Sequence, residues 1–134
     1  MSLLAAVLLV TAAPALPPAA SKADVGRKQA AAATIDARRA DLVSLADQVW
    51  AFAETALRET RSAALLADYA EKQGFRVERG VAGMSTAFVA SYGQGQPVIA
   101  VLGEYDALPG LSQKAVPERA VLQAGAPGHG CGHN

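Results

Sequence analysis

Residues 97–103, Pro97-Val98-Ile99-Ala100-Val101-Leu102-Gly103, form an unbroken apolar run with no polar residue alternating into it. A strand of this kind is covered on both faces, as in the interior of an α/β sheet, because any face left in water would carry polar side chains. The run predicts a central strand and an α/β fold. It leads directly into Glu104-Tyr105-Asp106. Ligands of open α/β sheets gather at the carboxyl ends of strands, so two carboxylates at that position stand where chemistry is done.

The elements expected before this strand follow from periodicity. Residues 22–33 make a polar, alanine-rich lead-in with no core face. A helix is expected from Thr34, with Thr34 as N-cap and Asp36 in the first turn. Ile35, Leu42, Leu45, Val49 and Phe52 fall on one face of it, flanked by Trp50 as a packing anchor. A second helix is expected over residues 60–73, with Leu65, Leu66, Tyr69 and Ala70 as its apolar face and Gly74 ending it. Residues 75–79 alternate and predict a half-exposed strand. Residues 85–92 are rich in β-formers and predict another, joined by a tight connection at residues 93–96 to the central run. Residues 111–127 have loop character, with one helical turn expected around residues 116–123.

The second chemistry-bearing segment is Gly128-His129-Gly130-Cys131-Gly132-His133-Asn134, which holds both histidines and the one cysteine. Thiolate and imidazole are the donors that zinc and similar borderline metals prefer. The glycines allow backbone angles that turn neighbouring side chains onto one point. About 25 residues separate this loop from Glu104 and Asp106, a span that closes at modest entropic cost. Carboxylate, thiolate and imidazole around one point describe a divalent metal site. Asp106 suits the role of holding the second nitrogen of a ligating histidine. Glu104 and His129 are each left between a ligand and an ordinary polar role. A redox centre is disfavoured without a partner cysteine, and no Lys-Ser or Lys-Thr closes the glycines into a phosphate loop. A Cys–His nucleophile remains a third possibility.

Composition narrows the class further. Twelve basic residues balance twelve acidic ones in 134 residues, with neither sign clustered, so no nucleic-acid surface is expected. Residues 1–13 are apolar and a Pro/Ala segment follows. This pattern predicts a signal peptide over residues 1–20 and a secreted or periplasmic protein, without stable membrane insertion. No basic residue precedes Lys22, and a cytoplasmic location follows if the run is not a signal. Residues 21–33 are then a lead-in linker, and residues 34–134 form one domain.

Gly103-Glu104-Tyr105-Asp106-Ala107-Leu108-Pro109-Gly110-Leu111-Ser112, followed by the glycine–histidine–cysteine segment, resembles the co-catalytic metallopeptidase family of aminoacylases and amidohydrolases. It is most similar to the branch of p-aminobenzoyl-glutamate hydrolase B subunits and related aminoacyl-amide hydrolases. The resemblance covers roughly residues 34–134. It implies the amino-terminal part of a zinc-peptidase-like catalytic domain, with two helices and then a mixed sheet. It implies two metal ions, zinc or manganese, and hydrolysis of the amide bond of N-acyl amino acids or aminoacyl amides. It also implies a homodimer. Cys131 and His133 are then metal ligands, and Asp106 orients the catalytic site. Much of the family has a histidine ligand where Glu104 stands here. The general-base glutamate, its acidic neighbour, later histidines and the dimerisation domain belong to parts of such enzymes outside these residues. The chain is therefore expected to be about the first third of such an enzyme and inactive alone. The competing expectation is a non-catalytic secreted metal-binding or interaction module.

Overall fold

The structure is a computed structural model and describes residues 21–134. The expected signal peptide lies outside the described residues. Two compact units are present, residues 1–37 and residues 38–134. Of the first, the structure shows helix α1, Lys22–Ala37, which has no buried residue. The polar lead-in is thus helical. Its start is held by local contacts: Ser21 and Asp24 cap each other's backbone, and Arg27 pairs with Asp24 at 2.5 Å. Thr34 is not an N-cap. Its hydroxyl donates back to the Ala30 carbonyl inside α1, and the helix breaks instead at Arg38.

The second unit begins with helix α2, Arg39–Phe52, whose first turn carries Asp41 against the positive end of the helix dipole. Ile35 therefore belongs to a different helix from the rest of the expected stripe. Within α2, Val49 is fully buried and Leu45 and Phe52 are partly covered. Ala53 ends α2 in the left-handed region, its N–H returning to the Val49 carbonyl. Helix α3, Thr60–Lys72, matches the expected span and buries Ser62 and Ala67.

The start of α3 is capped from a distance. No side chain at Glu59 takes the free N–H groups. Instead the Glu54 carboxylate accepts from the backbone of Arg61 and Ser62 and from the Ser62 hydroxyl, the last two at 2.9 Å. Burial alone would push this carboxyl up, but the bonds from Ser62 and Arg61 outweigh it and hold the pKa below the ordinary glutamate value.

Gly74, at φ 89°, turns the chain out of α3 and into strand β1, Arg76–Arg79. Its antiparallel partner is β2, Phe88–Ser91, paired from Arg76 with Ser91 to Arg79 with Phe88. A short 3₁₀ turn, Val81–Gly83, lies between them. Both strands are shorter than their sequence patterns predict, and the expected mixed sheet is a two-stranded antiparallel one.

The central strand does not form among the described residues. Residues 97–103 pair with nothing, and Val98, Ile99, Val101 and Leu102 are 76–93% exposed. A continuous apolar run becomes a strand only when neighbours supply both hydrogen bonds and two covering layers, and β1 and β2 supply neither. The buried interior is correspondingly thin. Val49, Ala67 and Ala107 are its apolar members, beside the polar Glu59, Ser62, Thr86, Ser112 and His129. The helical turn expected near residues 116–123 is likewise absent, and that segment is bends and irregular chain.

Candidate functional site

The segment after α2 is the anchor for the first motif. Glu54, whose side chain caps α3, offers its carbonyl to the Ala107 N–H at 2.7 Å, and Thr55 and Ala107 form an isolated parallel bridge. Ala107 is buried at that junction. The next residue holds the second motif, because Leu108 and Gly128 exchange both backbone bonds at 3.1 Å. Two segments far apart in the chain are thereby tied at adjacent residues.

The glycine loop fits closely against residues 111 and 112. A Cβ on Gly128 would come within 2.6 Å of the Leu111 carbonyl oxygen and the Ser112 Cα, both backbone atoms that cannot swing aside. Gly130 donates to the same Leu111 carbonyl at 3.3 Å. Only Gly132 of this loop, at φ 83°, requires the left-handed region, and it lies between Cys131 and His133.

His133 meets both carboxylates of the first motif. Its Nδ1 lies 2.9 Å from an Asp106 carboxylate oxygen, and its Nε2 lies 3.2 Å from a Glu104 oxygen. The Asp106 bond, with help from the charge of Glu104, raises the His133 pKa above the ordinary imidazole value. Asp106 is about one-fifth exposed and Glu104 about two-thirds exposed, so the firmer contact is also the more sheltered. Asp106 thus contacts a histidine of the second motif.

His129 turns the other way. It is 2% exposed, and its Nε2 donates to the Val49 carbonyl of α2 at 3.1 Å. Its ring lies 6.4 Å from that of Trp50, and its Nδ1 is buried without a partner. Burial pushes its pKa down, so the ring is neutral at pH 7. Asn134 also reaches α2, donating to the Ala46 carbonyl at 3.4 Å. Ala46, Val49 and Trp50 form one helical face, and the glycine loop is seated on it at both ends. Trp50 is the packing anchor its pattern predicts.

Cys131 is a free, exposed thiol. Neither histidine makes a hydrogen bond to it, so the Cys–His pair needed for a thiol nucleophile is not assembled among the described residues. Nor do three or more His, Cys, Asp or Glu side chains converge on a metal-sized point among those residues. The cluster present is Glu104, Asp106 and His133, with Cys131 two residues away in the chain. A groove of about 310 Å³ runs beside it, with Leu42, Leu45 and Val49 of α2 and Glu104 and His133 of the two motifs among its lining residues.

Sequence reasoning did not single out Glu54 or Tyr105. Glu54 fixes the first motif through its backbone and α3 through its side chain. Tyr105 lies between the two carboxylates and donates its hydroxyl to the Thr86 carbonyl. The only sequence signal for Tyr105 was its place between two candidate residues, and Glu54 gave none.

Among curated proteins, the chain is similar to the B subunit of the p-aminobenzoyl-glutamate hydrolase of Escherichia coli (strain K12). The two are 50% identical over 101 residues, which is 75% of this chain and 21% of its relative. The chain therefore spans about a fifth of its relative's length, less than the third that the motifs imply. No family model matches the chain. No solved structure matches it.

Proposed function

From this kinship with the hydrolase's B subunit, we propose that these 134 residues furnish one wall of a metal-dependent amidohydrolase site acting on N-acyl amino acids or aminoacyl amides. The observation that carries the reading is His133 held by Asp106 through Nδ1, with Nε2 presented toward Glu104. A ligating histidine is oriented this way: a carboxylate on one nitrogen fixes the tautomer and raises the basicity of the other. Cys131, exposed and two residues off, supplies the second donor, and Gly132 between them gives the backbone its turn.

The donor chemistry of thiolate, imidazole and nearby carboxylate suits zinc, and the family branch extends this to manganese. A bound divalent ion would lower the pKa of a water and polarise an amide carbonyl. Cys131 and His133 would hold it, with Asp106 positioning the His133 ring. Glu104 lies 3.2 Å from His133 Nε2 and adds negative charge beside the nitrogen that would face the ion. The apolar wall of α2 in the adjacent groove faces the acyl or aryl part of the substrate. A complete site of this kind takes more ligands and a general base. The chain by itself is accordingly inactive, and the exposed run 97–103 takes its place as a central strand when the rest of such a hydrolase surrounds it.

The test is a chimera. The matching 101 residues replace their counterparts in the Escherichia coli protein, and hydrolysis of p-aminobenzoyl-glutamate is measured. The chimera hydrolyses the substrate, and Cys131→Ala or His133→Ala lowers its kcat/KM by about a hundredfold or more. A chimera that is folded and inactive, or one indifferent to both substitutions, contradicts the reading.

A further inference from the structure

We propose that Tyr105 is the positioning residue of this site, and that its anchored ring sets the Glu104 carboxylate on His133 Nε2. The inference rests on the reading above for its catalytic meaning, but its structural content stands on the geometry of residues 104–106. These residues lie in no strand, and their side chains divide between two surroundings. Glu104 and Asp106 face His133. Tyr105 faces the hairpin, where its ring stacks on Phe88 with centroids 6.0 Å apart at 29°. Its hydroxyl donates to the carbonyl of Thr86, a buried residue just before β2. Burial and the nearby Glu59 carboxylate push the phenol above its ordinary pKa, so it remains a donor at neutral pH.

The two carboxylates differ in what else holds them. Asp106 adjoins Ala107, which is pinned to the Glu54 carbonyl at 2.7 Å. Glu104 has no such neighbour: among the described residues the backbone of residues 97–106 makes no backbone hydrogen bond. Upstream of Ala107, the Tyr105 side chain is the anchor. Releasing it should free Glu104 and leave Asp106 in place.

That asymmetry is what the experiment reads. The ring nitrogens of His133 are followed by ¹⁵N NMR in the metal-free full chain at one fixed pH, for the unaltered protein, Tyr105→Phe, Glu104→Gln and the double variant. The expected result is that Tyr105→Phe reproduces the Nε2 shift caused by Glu104→Gln, leaves the Nδ1 resonance unmoved, and adds nothing to Glu104→Gln. Equal movement of both nitrogens means a merely structural role and overturns the proposal, as does no movement of either. Phe88→Leu removes the ring contact but keeps the hydroxyl, and it should move Nε2 in the same direction. If it moves Nδ1 equally, the proposal fails. Zinc titration of the unaltered chain is run alongside. Absence of zinc binding counts against the metal reading alone, while Tyr105 is still decided by the two nitrogens.

Discussion

Gly128 shows how closely a single residue can be specified. It sits where two backbone segments touch, and any side chain there meets the Leu111 oxygen and the Ser112 Cα at 2.6 Å. Inserting one methyl group into such a contact forces the backbone apart, at a cost of about 2 kcal/mol. Gly128→Ala should therefore lower unfolding stability by that amount. Gly103→Ala, where an added Cβ meets nothing within 4 Å, should change it by less than about 0.5 kcal/mol. Chemical denaturation of the two variants checks the contrast, and equal effects would refute it. At this scale the sequence placed Asp106 and His133 among its candidates, and the structure brings those two side chains into contact. His133, Asp106 and Glu104 come together because their donor types and their places at the ends of two segments already pointed to one another. The two histidines could not be told apart by type. Their roles separate only when α2 offers a carbonyl to His129 and the first motif offers carboxylates to His133.

Helix α3 depends on a residue outside it. Glu54 lies six residues before the helix yet closes the N–H groups of Arg61 and Ser62, and it also receives the Ser62 hydroxyl. Removing it leaves these groups near the protein interior without their acceptor, and Glu54→Ala should cost about 2 kcal/mol. The pH dependence follows from the lowered folded pKa. Above the ordinary glutamate value of 4.5 the charged carboxylate gives its full contribution, and that contribution is lost as pH falls through the lower folded value. Thermal unfolding between neutral and acid pH should thus be less steeply acid-sensitive in Glu54→Gln than in the unaltered chain. An unchanged acid profile would contradict the capping role. Helix periodicity made α2 and α3 legible because each carries its own pattern. The boundary at Arg38 was not, since residues 22–33 have no apolar face by which to register a separate helix. Distant caps such as Glu54 have no local signature at all.

For the molecule as a whole, the largest departure from expectation is the run 97–103. Its pattern is that of a strand enclosed on both faces, yet Val101 and Leu102 are over nine-tenths exposed. A pattern records the environment a segment is suited to, and whether that environment is present depends on elements elsewhere. The hairpin of β1 and β2 is too small to provide it. At the site one histidine and two carboxylates meet, and no three-ligand metal group forms among the described residues. The part of the chain that matches its relative corresponds to 21% of that relative. The proposed account has these residues contribute ligands and one wall to an amidohydrolase site. None of the described helices is long and apolar enough to cross a membrane.

That account stands most directly on Cys131 and His133 as metal ligands, and cobalt(II) titration of the full chain tests it. A thiolate bound to cobalt gives a charge-transfer absorption that carboxylate and imidazole ligands do not. The account predicts that this band appears and saturates with added cobalt. It should vanish in Cys131→Ser and need a higher cobalt concentration in His133→Ala. Cobalt binding without the band, a band that survives Cys131→Ser, or no binding at all would contradict it.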